Sequence, residues 1–427
     1  MTPSWWTHPR IAAMAAAAFF ALEALQGIVL LPWLRHVLGP GAAASWVLIT
    51  ASAPLVGLLL AGRLQPTIRS LARQGERGRL PANWDQVMAD WLRWSGTGLL
   101  LLQLGFALAL SLGGFGGAAP AESGGWLAAG LYGIGQHLRL RAFAGMTALT
   151  GHQQTGRERS YLAMASALCL GLLLTLTVAG LGMPGLGLAV LLAQAALLVA
   201  VRLAVHAMPR DAAAMSAFSW RDGAGLSALA MAGFCASGTD ILMAGHWLSA
   251  AELVGFAFAS RALTAVVALC GLWAQLRFPR WCSEADLRRA MVELKKLMLA
   301  IAAVLFVMAL LAGSGPLRQA WGRFGAGFLL DGVVLALLLS GCWLACLTAT
   351  WGQVLLAVDE QQRFVWPCAV LALAAPLLAW LLGSRWGLAG MLLGYAGTHL
   401  AVTLVLARRT MQLLDSTVPP ALPRDAQ

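Results

Sequence analysis

Charge is what this chain has least of. Only 11% of its 427 residues are Asp, Glu, Lys or Arg, while 59% are hydrophobic. Soluble domains carry about 25% charge, so a chain this poor in it cannot cover a surface facing water. Acidic residues are scarcest, 18 against 29 basic ones, for a formal net charge of +11. In a soluble protein that excess would suggest nucleic acid. In an apolar chain it is a topology signal, because Lys and Arg gather in cytoplasmic loops, and no nucleic-acid partner is expected. Paired cysteines are also missing. None of the seven cysteines forms a CxxC pair, and six lie inside apolar runs. Neither a disulfide framework nor a metal site is read from them. No metal and no cofactor are expected.

What the chain does have is apolar runs of about 20 residues, the length that crosses a hydrocarbon core. Twelve such spans are placed at 11–33, 43–62, 95–113, 126–149, 161–181, 184–206, 223–244, 252–274, 297–313, 328–350, 364–382 and 387–407. The first is too long and, with Glu23 and Gln26 at its centre, too polar for a cleaved signal peptide. The fourth reads Gln136-His137-Leu138-Arg139-Leu140-Arg141 at its centre. No lipid-facing helix carries that, so the span is shielded by neighbours, lines a wet cavity, or is drawn too long. With both termini cytoplasmic, 22 basic residues fall in cytoplasmic segments and 4 on the opposite side, a strong positive-inside bias.

The two largest cytoplasmic loops follow the second and the eighth span. The first ends in Trp84, Val87, Met88 and Trp91 at helical spacing, the pattern of an interfacial amphipathic helix. In the second, Leu287, Met291, Leu294 and Met298 repeat on one face, with Arg288, Arg289, Lys295 and Lys296 off it. The matching positions divide the chain into an N-lobe at 1–206 (spans one to six), a cytoplasmic linker at 207–222, a C-lobe at 223–410 (spans seven to twelve) and a cytoplasmic tail at 411–427. The expected class is an all-α integral membrane protein of about twelve transmembrane helices in two six-helix lobes. Repeated halves of this kind are a transporter architecture.

Ionisable residues inside a membrane mark functional sites by default. Arg261 lies nine residues into the eighth span, on the order of 13 Å below its outer end. Two readings stand for it: contact with an anionic cargo, or an ion pair with Asp240 near the outer end of the seventh span. Arg139 and Arg141 are two residues apart and so point roughly 200° apart on a helix. One of them at most faces a narrow cavity. Arg139 shares a face with Gln136 and Tyr132, and Arg141 with His137. Glu23 is the one carboxylate near mid-depth in the first half. It is read either as a proton- or cation-coupling group or as the partner of Arg139, Arg141 or Arg261.

Several stretches resemble a known family. They are Thr239-Asp240-Ile241-Leu242-Met243-Ala244-Gly245-His246-Trp247-Leu248, then Glu252-Leu253-Val254-Gly255-Phe256-Ala257-Phe258-Ala259-Ser260-Arg261, then Phe278-Pro279-Arg280. Segments 149–157 and 353–363 and Trp386-Gly387-Leu388-Ala389-Gly390 add to the likeness. Together they resemble the Wzx-type polysaccharide flippases of the MOP exporter superfamily, and the layout covers nearly the whole chain. Phe256 or Phe258 stands where that family has Tyr, and Ser249-Ala250 where a Gly would follow the Leu. The twelve spans differ from the fourteen usual in the superfamily's lipid II flippases.

The resemblance implies two lobes around a central cavity, MATE/MOP-like, in a bacterial inner membrane. The cargo it implies is an undecaprenyl-diphosphate-linked oligosaccharide, moved from the cytoplasmic to the periplasmic leaflet by alternating access for surface polysaccharide biosynthesis. On that reading Arg261, Arg139 and Arg141 bind cargo, and Glu23 and Asp240 serve coupling or an ion pair. The partners are the lipid-linked substrate, membrane lipids and H+ or Na+ as coupling ion, and the protein works as a monomer. The rival is a cation-coupled multidrug exporter of the same fold. A membrane glycan polymerase, ligase or glycosyltransferase ranks below both. Such enzymes need reactive groups in a sizeable outer loop, and the longest outer loop here is 314–327. The protein is therefore not expected to be an enzyme.

Overall fold

The computed structural model describes residues 9–53, 67, 71, 79–111, 124–152, 154–211, 228, 233–235, 238–284, 286–313, 332–358 and 363–416. Almost all of them are helical. In chain order the helices are α1 (Pro9–Ile28), α2 (Leu30–Leu38), α3 (Pro40–Ala51), α4 (Trp84–Ser111), α5 (Gly125–Gly151), α6 (Thr155–Val178) and α7 (Gly182–His206). Then come α8 (Asp240–Ala244), α9 (Ala250–Glu284), α10 (Leu287–Gly313), α11 (Gly332–Val358), α12 (Val365–Leu373) and α13 (Ala375–Ser416). The strands among the described residues are two-residue pieces, β1 (Leu80–Pro81) and β2 (Arg210–Asp211), paired in parallel. Six helical segments among the described residues are long and apolar enough to cross a membrane: Ala13–Leu38, Gly156–Val178, Gly182–His206, Ala250–Gly271, Gly332–Val358 and Val365–Asp415. Large apolar side chains such as Met164, Leu203, Phe306 and Leu404 stand exposed on helix surfaces, as a protein solvated by lipid requires. This is a multi-pass membrane protein. Half of the expected seventh span and the end of the second lie outside the described residues.

The chain divides into two compact units. The first takes in the residues up to Phe234 and the segment Ile241–Arg261; the second holds Cys235–Asp240 and, from Ala262 onward, nearly all the rest of the described chain. In the first unit α5 packs along α7 and against α4, and α6 lies between α7 and α1. The expected fourth span is α5, one unbroken helix. Its polar centre is largely covered by neighbours: Gln136 is fully buried and His137 and Arg139 are half-buried, while Arg141 is exposed.

The start of α4 departs from expectation. Its apolar face is not offered to a membrane interface. Trp84, Met88 and Trp91 are buried in one core with Leu71, Leu80, Leu140, Leu149, Leu197, Val201 and Met208. Their amphipathic spacing fits either partner, and the core of the same unit takes the face. This end of the unit is fastened further by the β1–β2 pairing, by the Leu80 amide donating to the Pro209 carbonyl at 2.8 Å, and by an Arg210–Asp85 ion pair at 2.8 Å.

Prolines and glycines set the breaks. Pro32 has no N–H to offer residue 28, and the helix divides there into α1 and α2. Pro376 does the same between α12 and α13. Within α13 the chain turns at Trp386 and Gly387, the latter at φ 59° and ψ −142°, a conformation open to glycine. The two arms then meet closely. A Cβ at Gly394 would stand 2.7 Å from the Ala379 backbone, and one at Gly390 would strike the Leu382 carbonyl. A Gly-xxx-Gly pair at such a crossing lets backbones touch where lipid supplies no hydrophobic drive.

A candidate anion site in the first unit

The first unit draws together residues that are far apart in sequence. Tyr132 of α5 is buried, with its ring edge-on to Trp46 of α3 at 5.8 Å. The charges of Arg139, Arg261 and Glu23 all act on its phenol. Arg139 is one face-repeat along α5 from Tyr132 and lies over the Phe143 ring at 5.5 Å, a cation–π contact. Arg261 reaches in from α9. Its Nη2 donates to the Thr50 hydroxyl, which passes its own proton to the Trp46 carbonyl at 2.9 Å. Gly27 of α1 lies against this arm: a Cβ there would stand in ordinary contact, 3.5 Å from the Arg261 side chain.

Glu23 sits one turn earlier on α1 and is exposed. Its Oε1 accepts a hydrogen bond from the Ser166 hydroxyl at 2.7 Å, and Gln26 Nε2 donates to the Ser166 carbonyl at 2.8 Å. Ser166 thus clamps α1 to α6. Ion pairs among the described residues include Arg93–Asp90, Arg210–Asp85 and Arg277–Glu293. None of these includes Glu23, whose carboxylate accepts from a neutral hydroxyl.

Of the residues singled out from sequence, Glu23, Arg139 and Arg261 therefore all lie within electrostatic reach of Tyr132. Arg141 does not join them. It is exposed and its charge acts on His137, as the 200° divergence requires. Asp240 belongs to the second unit, at the start of α8. There it neighbours Tyr395, whose hydroxyl shares a 2.7 Å hydrogen bond with Thr239. Thr50, Ser166 and Tyr132 complete the first unit's cluster. Thr50 and Ser166 carried no signal in the sequence, since lone hydroxyl residues are ordinary in membrane helices. Tyr132 was visible only as a face-mate of Arg139. Among the described residues no group of three His, Cys, Asp or Glu could hold a metal ion.

Chemically, two half-buried guanidiniums near one carboxylate make a site suited to an anion. Guanidinium forms charge-assisted, bidentate bonds to phosphate oxygens. Thr50 fixes the orientation of one of them.

No family model matches the chain, and no curated protein does. Solved structures do. An inward-facing multidrug-resistance MATE family transporter of the MOP superfamily aligns over 94% of this chain and 99% of its own, at 15% identity and a TM-score of 0.59. A lipid II flippase, MurJ, in an inward closed conformation aligns over 94% of this chain and 87% of its own, at 11% identity and a TM-score of 0.68. A eukaryotic MATE transporter covers 94% and 95% at 14% identity and a TM-score of 0.63. The chain thus has the all-helical fold shared by MATE transporters and this lipid flippase. At such identities the likeness defines the fold and leaves the cargo to the site's own chemistry.

Proposed function

We propose that this protein is a transporter that flips an undecaprenyl-diphosphate-linked oligosaccharide across a bacterial inner membrane, from the cytoplasmic to the periplasmic leaflet, by alternating access. The observation that supports the reading is that Arg139 and Arg261, both half-buried, lie within electrostatic reach of the same buried Tyr132. A diphosphate crossing hydrocarbon needs fixed cations at depth, and arginine supplies them in the geometry phosphate prefers. In this reading the two six-helix halves alternate about the site, Glu23 is the protonatable or cation-binding coupling group, and Asp240 serves the second half. The protein acts as a monomer with both termini cytoplasmic. Its fold is shared with a lipid flippase as well as with drug exporters, which is compatible with lipid cargo and does not by itself select it.

The test is genetic and quantitative. Arg261→Ala is expected to lower surface polysaccharide while the amount of protein in the membrane stays the same. Unchanged polysaccharide removes Arg261 from the site. The multidrug reading gives the opposite pattern: loss of resistance to cationic drugs with polysaccharide intact.

A further inference from the structure

The second unit carries a charged surface that the cargo reading does not use. It lies at the start of α10, where Asp286 caps the helix by accepting the Arg289 amide at 3.1 Å. Leu287, Ala290, Leu294 and Met298 turn inward and are buried. The outward stripe takes every third or fourth residue: Arg288, Val292, Lys295, Leu299, then Phe306 and Leu310. At 100° per residue these positions stay within about 60° of one another. Arg289 and Lys296 flank the stripe and are also exposed. The acid on this stretch of α10, Glu293, is half-buried and turned away. It pairs with Arg277 at 3.7 Å and accepts from the Trp281 indole at 3.3 Å. One continuous exposed face is therefore cationic within its first three turns and apolar afterwards.

We propose that the first three turns of α10 form a binding site for anionic phospholipid headgroups, with Arg288, Lys295 and Lys296 holding the phosphate and Val292 and Leu299 lying along the acyl chains. The lengths agree. From Arg288 to Lys296 is about 12 Å of helix and from Lys296 to Leu310 about 21 Å, the order of a headgroup layer followed by most of a hydrocarbon core. The flexible lysine stems place their ammonium groups at the boundary between the two. Juxtamembrane basic clusters of this kind attract anionic lipid. A charged face that served insertion alone would bind no particular headgroup once folded. The proposal is independent of the cargo.

The test uses the full-length protein purified in neutral detergent, titrated with phosphatidylglycerol or with phosphatidylcholine and read by native mass spectrometry. The wild type is expected to bind phosphatidylglycerol in preference, and the preference to fall with salt. Arg288→Gln/Lys295→Gln/Lys296→Gln is expected to weaken phosphatidylglycerol binding by roughly tenfold or more. Val292→Glu, which keeps every cation but puts an acid between them, is expected to weaken it too. Arg202→Gln/Arg408→Gln, which removes exposed charge elsewhere, is expected to leave it unchanged. Equal binding by the triple variant and the wild type, or equal affinity for the two lipids, overturns the proposal. So does displacement of the lipid by excess inorganic phosphate, which would make this a site for free anions.

Discussion

Arg261 illustrates what a single residue can and cannot disclose in a sequence. Its misplacement in an apolar helix was plain; its partner was not. Asp240, near the outer end of the preceding span, was one candidate read from the sequence; the structure adds a hydrogen bond from Arg261 to Thr50, a residue with no distinguishing context. Hydrogen bonds to a charged group are worth about 1.5–3 kcal/mol. Arg261→Ala is therefore expected to weaken binding of a diphosphate-linked cargo by roughly ten- to hundredfold, measured with purified protein and a labelled lipid-linked glycan. Arg261→Lys keeps the charge, loses the fork and is expected to fall in between. Glu23→Gln keeps the Ser166 hydrogen bond and removes the negative charge. Transport by this variant is expected to lose its dependence on the proton or sodium gradient, measured in vesicles with an imposed gradient; an unaltered dependence removes Glu23 from coupling. His152, in the turn after α5, is a separate case. Neither of its ring nitrogens has a partner, and burial lowers its pKa. The unfolded chain takes up a proton near pH 6.5, and the folded one resists it. Stability is thus full above that pH and declines as pH falls below it. His152→Gln is expected to flatten this part of the pH profile of thermal unfolding.

At the scale of elements, apolar run length located the helices and local chemistry set their ends. Ser249 looked like a departure from a family pattern. In the structure it begins α9: its amide and hydroxyl both donate to the Glu252 carboxylate, at 2.9 and 2.7 Å, and the Glu252 amide returns to Ser249 Oγ at 3.4 Å. This is a capping box, legible as Ser-x-x-Glu before an apolar run. Ser249→Ala is expected to cost about 1 kcal/mol, read as a lower unfolding temperature with cargo binding retained. The α13 turn was less legible. Two apolar spans with a short link announce a hairpin, but the closeness of its arms depends on Gly390 and Gly394 facing the partner arm, and face is not readable from apolar composition. Gly394→Leu is expected to force the arms apart and destabilise the second unit by at least the 1–3 kcal/mol typical of overpacking, seen as reduced folded protein in the membrane. The first turns of α4 show the converse limit. An amphipathic face states that something will cover it and does not say whether that is lipid or protein.

For the whole molecule, composition alone placed the chain in a membrane, and hydropathy laid out helices that the fold matches to MATE and lipid-flippase structures. The site was legible in part. Three of the five intramembrane charges named from sequence lie within electrostatic reach of one tyrosine, because charges at similar depth on packed helices have few places to go. Their hydroxyl partners were not legible, since serine and threonine are common in membrane helices for reasons of packing. The central claim is that the cargo is an anionic lipid held by arginine. It is tested most directly by reconstituting the full-length protein in liposomes and following, by quenching from outside, the translocation of a fluorescent undecaprenyl-diphosphate-linked oligosaccharide. Translocation above protein-free vesicles, lost in Arg261→Ala and unaffected by excess cationic drug, is the result expected. Absence of lipid translocation, together with efflux of a cationic dye that survives Arg261→Ala, would contradict the account.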